Sequence, residues 1–131
     1  MPFAKPAFPS TLKKSEWAKN KDIITELAKG KTGLGKALTS VEADYNAVDF
    51  ELADTIGKKQ FKSPDEPGTK KFVTAWNKLI TDLKQVLSVA EPLAKELKAS
   101  KVTPKKTSAY VDSLVADASS LFDKLAKFQG N

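Results

Sequence analysis

Apolar side chains recur at alternating steps of four and three along most of this chain, and that spacing dictates helices that must pack against one another. The clearest early run is Leu34, Leu38, Val41, Tyr45, Val48 and Leu52. It predicts one helix over about 33–60 with a single apolar stripe. With the stripe at a and d of a heptad, Glu42 and Asp49 fall at e, and Asp44 and Glu51 at g, flanking the seam. Phe50 falls at f, on the outward side, where it is expected to meet water. Between Lys36 and Lys58 the stretch carries five acids (Glu42, Asp44, Asp49, Glu51, Asp54) and no base. These acids are expected to pair with lysines on neighbouring helices. Such surface pairs contribute about 0–1 kcal/mol each.

Three more helices follow from the same period. The first is expected over about 11–29, capped by Ser10, with Trp17, Ile24 and Leu27 on one face and Ile23 beside them. Gly30 ends it as a C′ glycine. The third, over about 69–99, keeps the spacing through Phe72, Trp76, Leu79, Leu83, Val86, Ala90, Leu93 and Leu97. A further column of Val73, Ile80, Leu87 and Ala94 widens that stripe to what a globular core needs. Pro92 lies inside it, and a kink near Ser88–Pro92 is expected. Ahead of it, Ser63-Pro64-Asp65-Glu66 reads as a capped start that Pro67-Gly68 interrupts, so that either one turn forms and breaks or the helix begins at Thr69. The fourth, over about 104–128, opens with Thr103 as cap and Pro104 at its first position. Its seam is Val111, Leu114, Ala118, Leu121, Leu125 and Phe128.

Short connections between such helices make neighbours antiparallel. The expected fold class is therefore all-α: an antiparallel up-down-up-down four-helix bundle over residues 11–131, with crossing angles near 20°. A short extended arm over residues 1–10 precedes it, because Pro2, Pro6 and Pro9 exclude a helix interior. Phe3 and Phe8 give the arm two anchors, either onto its own bundle or onto a partner.

Composition narrows the chemistry. The 131 residues hold no cysteine, no histidine and no arginine, and all 22 bases are lysine. That removes thiol chemistry, the Ser-His-Asp triad, histidine-ligated metals and the bidentate guanidinium fork. No catalytic residue, cofactor or metal is expected, and the acids lack the dense oxygen spacing of a calcium loop. Gly30-Lys31-Thr32-Gly33-Leu34-Gly35-Lys36-Ala37 matches a phosphate loop until its last place, where Ala37 replaces the magnesium-ligating hydroxyl. It also follows a helical pattern where a phosphate loop follows a strand, so it is read as a turn. No run approaches the ~20 apolar residues of a membrane span. The first ten residues do not form a signal peptide, and removal of an earlier targeting segment stays open.

Charge is uneven. The net charge is +6, yet residues 37–57 hold only acids among their charged side chains. The basic blocks are the arm with the first helix, and the connection between the second and third helices. In the expected bundle these lie at one end, so Lys13, Lys14, Lys58, Lys59, Lys62, Lys70 and Lys71 are the predicted partner contacts, with Phe3 and Phe8 as arm anchors. Lysine is a hydrated point charge suited to loose, salt-sensitive attachment to an acidic surface.

The last helix opens Lys101-Val102-Thr103-Pro104, continues through Tyr110 and closes Leu125-Ala126-Lys127-Phe128. With the proline-containing arm and the lysine-rich bundle ahead of it, this resembles the PsbQ-type extrinsic subunits of photosystem II and their algal and diatom counterparts. The resemblance covers about 30 residues, and elsewhere is one of architecture and charge. It implies a non-catalytic peripheral protein of the chloroplast thylakoid lumen. Such a protein docks on the photosystem core or on other extrinsic subunits, and helps retain the calcium and chloride that oxygen evolution needs. Two other readings share the same surface. One is a general interaction module of adaptor, chaperone or immunity type. The other is a binder of anionic lipid or nucleic acid, which the absence of arginine and the scarcity of exposed aromatics disfavour for specific recognition.

Overall fold

The computed structural model describes residues 6–27, 34–56, 61, 67–101 and 103–128, with the backbone alone at Leu27, Asp54 and Phe128. Among the described residues the chain is all-helical, with no strand. A 3-10 turn, Ser10–Leu12, leads into α1 (Lys14–Leu27). Then come α2 (Leu34–Ala47), α3 (Phe50–Thr55), α4 (Pro67–Ala99) and α5 (Lys105–Phe128).

Helix α4 is the spine. Its 33 residues span ~50 Å. All eight residues of its predicted seam are buried, and Val73 with them. It begins at Pro67, not at Thr69: proline has no N–H to lose in a first turn, so Pro67-Gly68 opens the helix. The helix runs through Pro92, which lies on the exposed side between buried Ala90 and Leu93, where water can serve the carbonyl left without its usual N–H.

The most extensive packing joins α4 to α5 and α4 to α2. Along the first seam, Lys98 Nζ lies 3.5 Å from Asp112, and Lys84 Nζ stands 6.0 Å from the centre of the Phe122 ring. Val111, Leu114, Ala118, Leu121 and Leu125 of α5 are buried along it. Helix α5 starts where the Pro104 carbonyl accepts the N–H groups of Thr107 and Ser108, both at 3.1 Å. Thr103 does not supply the expected cap, since its hydroxyl is buried and without a partner among the described residues.

The predicted continuous helix over 33–60 is broken. Helix α2 stops at Ala47, and the Val48 N–H closes a tight turn on the Tyr45 carbonyl at 3.2 Å. Asp49 is extended (φ −88°, ψ 96°), and its carboxylate accepts the Leu52 N–H at 3.1 Å, which caps α3. An aspartate side chain competes for backbone N–H groups in this way, and is stabilised at a helix start. The break corrects two expectations. Asp49 is a cap and not a flank of the seam. Phe50 does not meet water: it is 3 % exposed and packs between Tyr45 and Trp76, with ring centres 5.1 and 6.0 Å away. Burying a Phe side chain stabilises by about 1.5–3 kcal/mol, enough to offset a few lost helical hydrogen bonds.

The entry to α1 also differs from expectation. Ser10 lies inside the 3-10 turn, Leu12 of that turn is fully buried, and Lys13 is extended. The Lys13 carbonyl accepts the N–H groups of Glu16 and Trp17 at 3.1 Å, so the helix starts one turn later. Trp17 and Ile24 are buried as the period predicts, while Ile23 is exposed.

Residues 6–9 lie on the protein's own helices. The Tyr45 hydroxyl donates to the carbonyl of buried Pro6, and Phe8 packs on Tyr45 with ring centres 4.8 Å apart. Thr11 then fastens the chain to α5. Its hydroxyl donates to Asp117 at 2.7 Å, and its carbonyl accepts the Tyr110 hydroxyl at 3.2 Å. Burial, helped by the nearby charge of Glu16, pushes the Tyr110 phenol up to about 12. A phenol pKa raised on folding favours the fold fully below the unfolded value of 10, and that contribution is lost as pH rises through 12. Tyr110→Phe is expected to cost about 1 kcal/mol at neutral pH and to flatten the loss of stability between pH 10 and 12. Chemical denaturation across that range checks both.

Candidate functional site

Of the nine residues predicted as partner contacts, Lys13, Lys14, Lys70, Lys71 and Phe8 fall within the described structure. Phe3, Lys58, Lys59 and Lys62 lie outside the described residues, as do Gly30 to Gly33 of the glycine turn and Ser63 to Glu66 of the predicted cap. Lys13, Lys14, Lys70 and Lys71 are all exposed, whereas Phe8 is half-buried against Tyr45.

The two lysine pairs are not brought to one end. Trp17, one turn beyond Lys13, packs on Gly35 at the start of α2, so closely that a Cβ there would sit 3.2 Å from the ring. Lys71 instead lies beside Ala43 and Ala47, at the other end of α2. Gly35 and Ala47 are ~18 Å apart along that helix. The cause is the course of the N-terminal segment. It leaves Tyr45 at Pro6 and reaches Tyr110 and Asp117 by Thr11, which carries the start of α1 away from the first turn of α4.

A second cluster lies in the seam between α2 and α4. Asp44 of α2 is only 5 % exposed, and its Oδ1 lies 3.5 Å from the Nζ of Lys78 on α4. This is the acid-to-lysine pairing across helices that the acidic stretch predicts. Asp82 lies one turn beyond Lys78 on the same helix and lines a cleft with it. The Oδ2 atoms of Asp44 and Asp82 are both buried and meet no donor among the described side chains. Burial, then a hydrogen bond with Asp44 and the charge of Asp44, push the Asp82 carboxyl up to about 6, while Lys78 and Lys36 pull the other way. Lys78 separates two surface clefts. One of about 540 Å³ reaches past Asp44 to Thr74 and Lys71, and one of about 470 Å³ reaches past Asp82 to Ser40 and Lys36.

The lysines around the two carboxyls can attract an anion. Among the described residues no three His, Cys, Asp or Glu side chains converge where a metal ion would sit. No described helix is long and apolar enough to cross a membrane. Asp82 carries no mark in the sequence as a single residue. The available signal is its register: Asp44 and Asp82 both stand one place before an a residue, the position that meets its counterpart when two helices pack in opposite directions.

No protein-family model, curated protein or solved structure matches the chain.

Proposed function

We propose that this chain is a non-catalytic docking protein, a helical bundle with an N-terminal arm, that attaches through lysines to an acidic protein surface. Following the resemblance in its last helix, the proposed partner is the lumenal face of photosystem II, its core or its other extrinsic subunits. The protein then sits peripherally in the chloroplast thylakoid lumen, held through protein, and supports oxygen evolution by retaining calcium and chloride. The bundle topology is supported by the α4–α5 contacts, where Lys98 meets Asp112 and the earlier Lys84 meets the later Phe122.

One observation carries the docking reading. Lys13, Lys14, Lys70 and Lys71 are exposed, and none has a carboxylate within 4 Å among the described residues, whereas Lys19, Lys78 and Lys98 each have one. Exposed lysines without internal partners keep their charge for another surface, and their separation along α2 makes the attachment two-footed. Attachment of this kind is set by complementary charge and weakens as salt screens it. Added to salt-washed photosystem II membranes, the protein is expected to bind at low salt and to be released as salt is raised. The quadruple change K13E, K14E, K70E, K71E is expected to reduce binding at least tenfold. Failure to cosediment at low salt refutes the photosystem partner. Binding that the quadruple variant retains refutes the lysine surface.

A further inference from the structure

We propose that the end of the molecule formed by the connection between α4 and α5 attaches to an anionic lipid surface. The inference does not rest on the docking reading above. Lys95, where this end begins, stands ~36 Å along α4 from Lys71.

The sequence concentrates charge here. The twelve residues from Lys95 to Lys106 carry five lysines (Lys95, Lys98, Lys101, Lys105, Lys106) against one acid, Glu96, and so hold +4 of the net +6. The fold gathers them. Helix α4 ends at Ala99 and α5 begins at Lys105, and the contact of Lys98 with Asp112 at 3.5 Å shows the chain doubling back at this point. All five lysines are exposed. Lys95, Lys101, Lys105 and Lys106 have no carboxylate within 4 Å among the described residues. The N-terminal segment adds a sixth lysine. The Thr11 carbonyl accepts the hydroxyl of Tyr110, one turn beyond Lys106, and the charge of Glu16 acts on the same phenol. Lys13 is exposed between Thr11 and Glu16, and is therefore held near the start of α5.

The kind of partner follows from what this end lacks. The centres of protein interfaces are depleted in lysine and rest on Trp, Tyr or Arg side chains that fill pockets. Nucleic-acid bases are read by bidentate side chains or stacked on aromatic ones. This chain has no arginine, and the one large hydrophobic side chain exposed among the described residues is Ile23 of α1. A layer of anionic headgroups needs neither pocket nor ring. Each lysine held within a Debye length of it, ~8–10 Å, strengthens attachment about fivefold. No described helix is long and apolar enough to cross a bilayer, so the attachment is one of charge at the surface.

Cosedimentation of the full chain with vesicles tests this, using phosphatidylcholine alone or with phosphatidylglycerol as about a third of the lipid. Binding to the anionic vesicles is expected to be at least about tenfold tighter than to phosphatidylcholine alone, and to be released as salt is raised. The variant K101Q, K105Q, K106Q is expected to bind at least about tenfold more weakly, while K84Q, K124Q, K127Q, with the same loss of charge elsewhere, stays within about threefold. All six positions are exposed, so neither change disturbs the core. Equal affinity for the two kinds of vesicle, or equal losses in the two variants, overturns the proposal. Binding to soluble polyglutamate with none to either vesicle also overturns it, and assigns this end to an acidic protein. The vesicles hold no protein, so their failure is distinct from a failure to dock on photosystem II membranes.

Discussion

Trp76→Ala is expected to lower the stability of the fold by about 3–5 kcal/mol, the range for deleting a large buried aromatic. Trp76 is fully buried and stands at the centre of a ring cluster. Phe61 meets it edge-on at 5.2 Å, Phe50 at 6.0 Å, and Phe72 lies tilted at 5.8 Å. The cluster continues from Phe50 to Tyr45 and from Tyr45 to Phe8. Removing the central ring leaves three neighbours facing a void that no single rotamer change fills. Aromatic pairs of this kind are worth about 0.5–1.5 kcal/mol beyond their buried area. A domain of ordinary stability has only about 5–15 kcal/mol to lose, so the variant is expected to be partly unfolded at 37 °C. Urea denaturation followed by circular dichroism measures the loss. A cost below 1 kcal/mol would mean that the cluster is not a centre of the core.

Phe50→Ala is expected to cost about 3 kcal/mol or more, while Glu51→Ala next to it stays within about 0.5 kcal/mol. The contrast tests the break at Val48 and Asp49 directly. In one continuous helix Phe50 faces outward, and its truncation costs little. In the observed structure the interruption turns Phe50 into the core at 3 % exposure and leaves Glu51 exposed. Equal and small losses from the two variants would restore the continuous helix. The same denaturation series reads both, with each variant compared at its own midpoint and slope.

The difference between what the period foretells and what it misses is physical. The stripe of α4 and the seam of α5 are legible because six or more apolar positions agree on one register, and a single residue cannot override them. The start of α4 at Pro67 was not among the options read from the pattern, which took Pro67-Gly68 as an interruption or placed the start at Thr69, although proline suits a first turn. The break after Ala47 was not legible. Asp49 fits a helix flank and an N-cap equally well, and the choice depends on whether Phe50 finds a pocket, which Tyr45 and Trp76 together supply. Leu12 is another case. Its burial depends on where Thr11 is fastened to Tyr110 and Asp117, 99 and 106 positions further along and beyond the reach of any local signal. The lysine pairs were legible as charge but not as geometry, because the course of residues 6–9 decides where α1 begins.

The anchoring of Thr11 has a consequence for the order in which this chain can be assembled. Its two partners on α5 are 99 and 106 residues further along. During synthesis, at about 5–20 residues per second, residue 11 leaves the ribosome several seconds before its partners are made. The N-terminal segment is thus among the earliest parts of this sequence to emerge and among the last to be fastened, and its contacts close a loop that takes in nearly the whole chain. Until they form, buried Leu12 has no finished surface to meet, so a nascent chain stalled before Tyr110 presents it to whatever else is near.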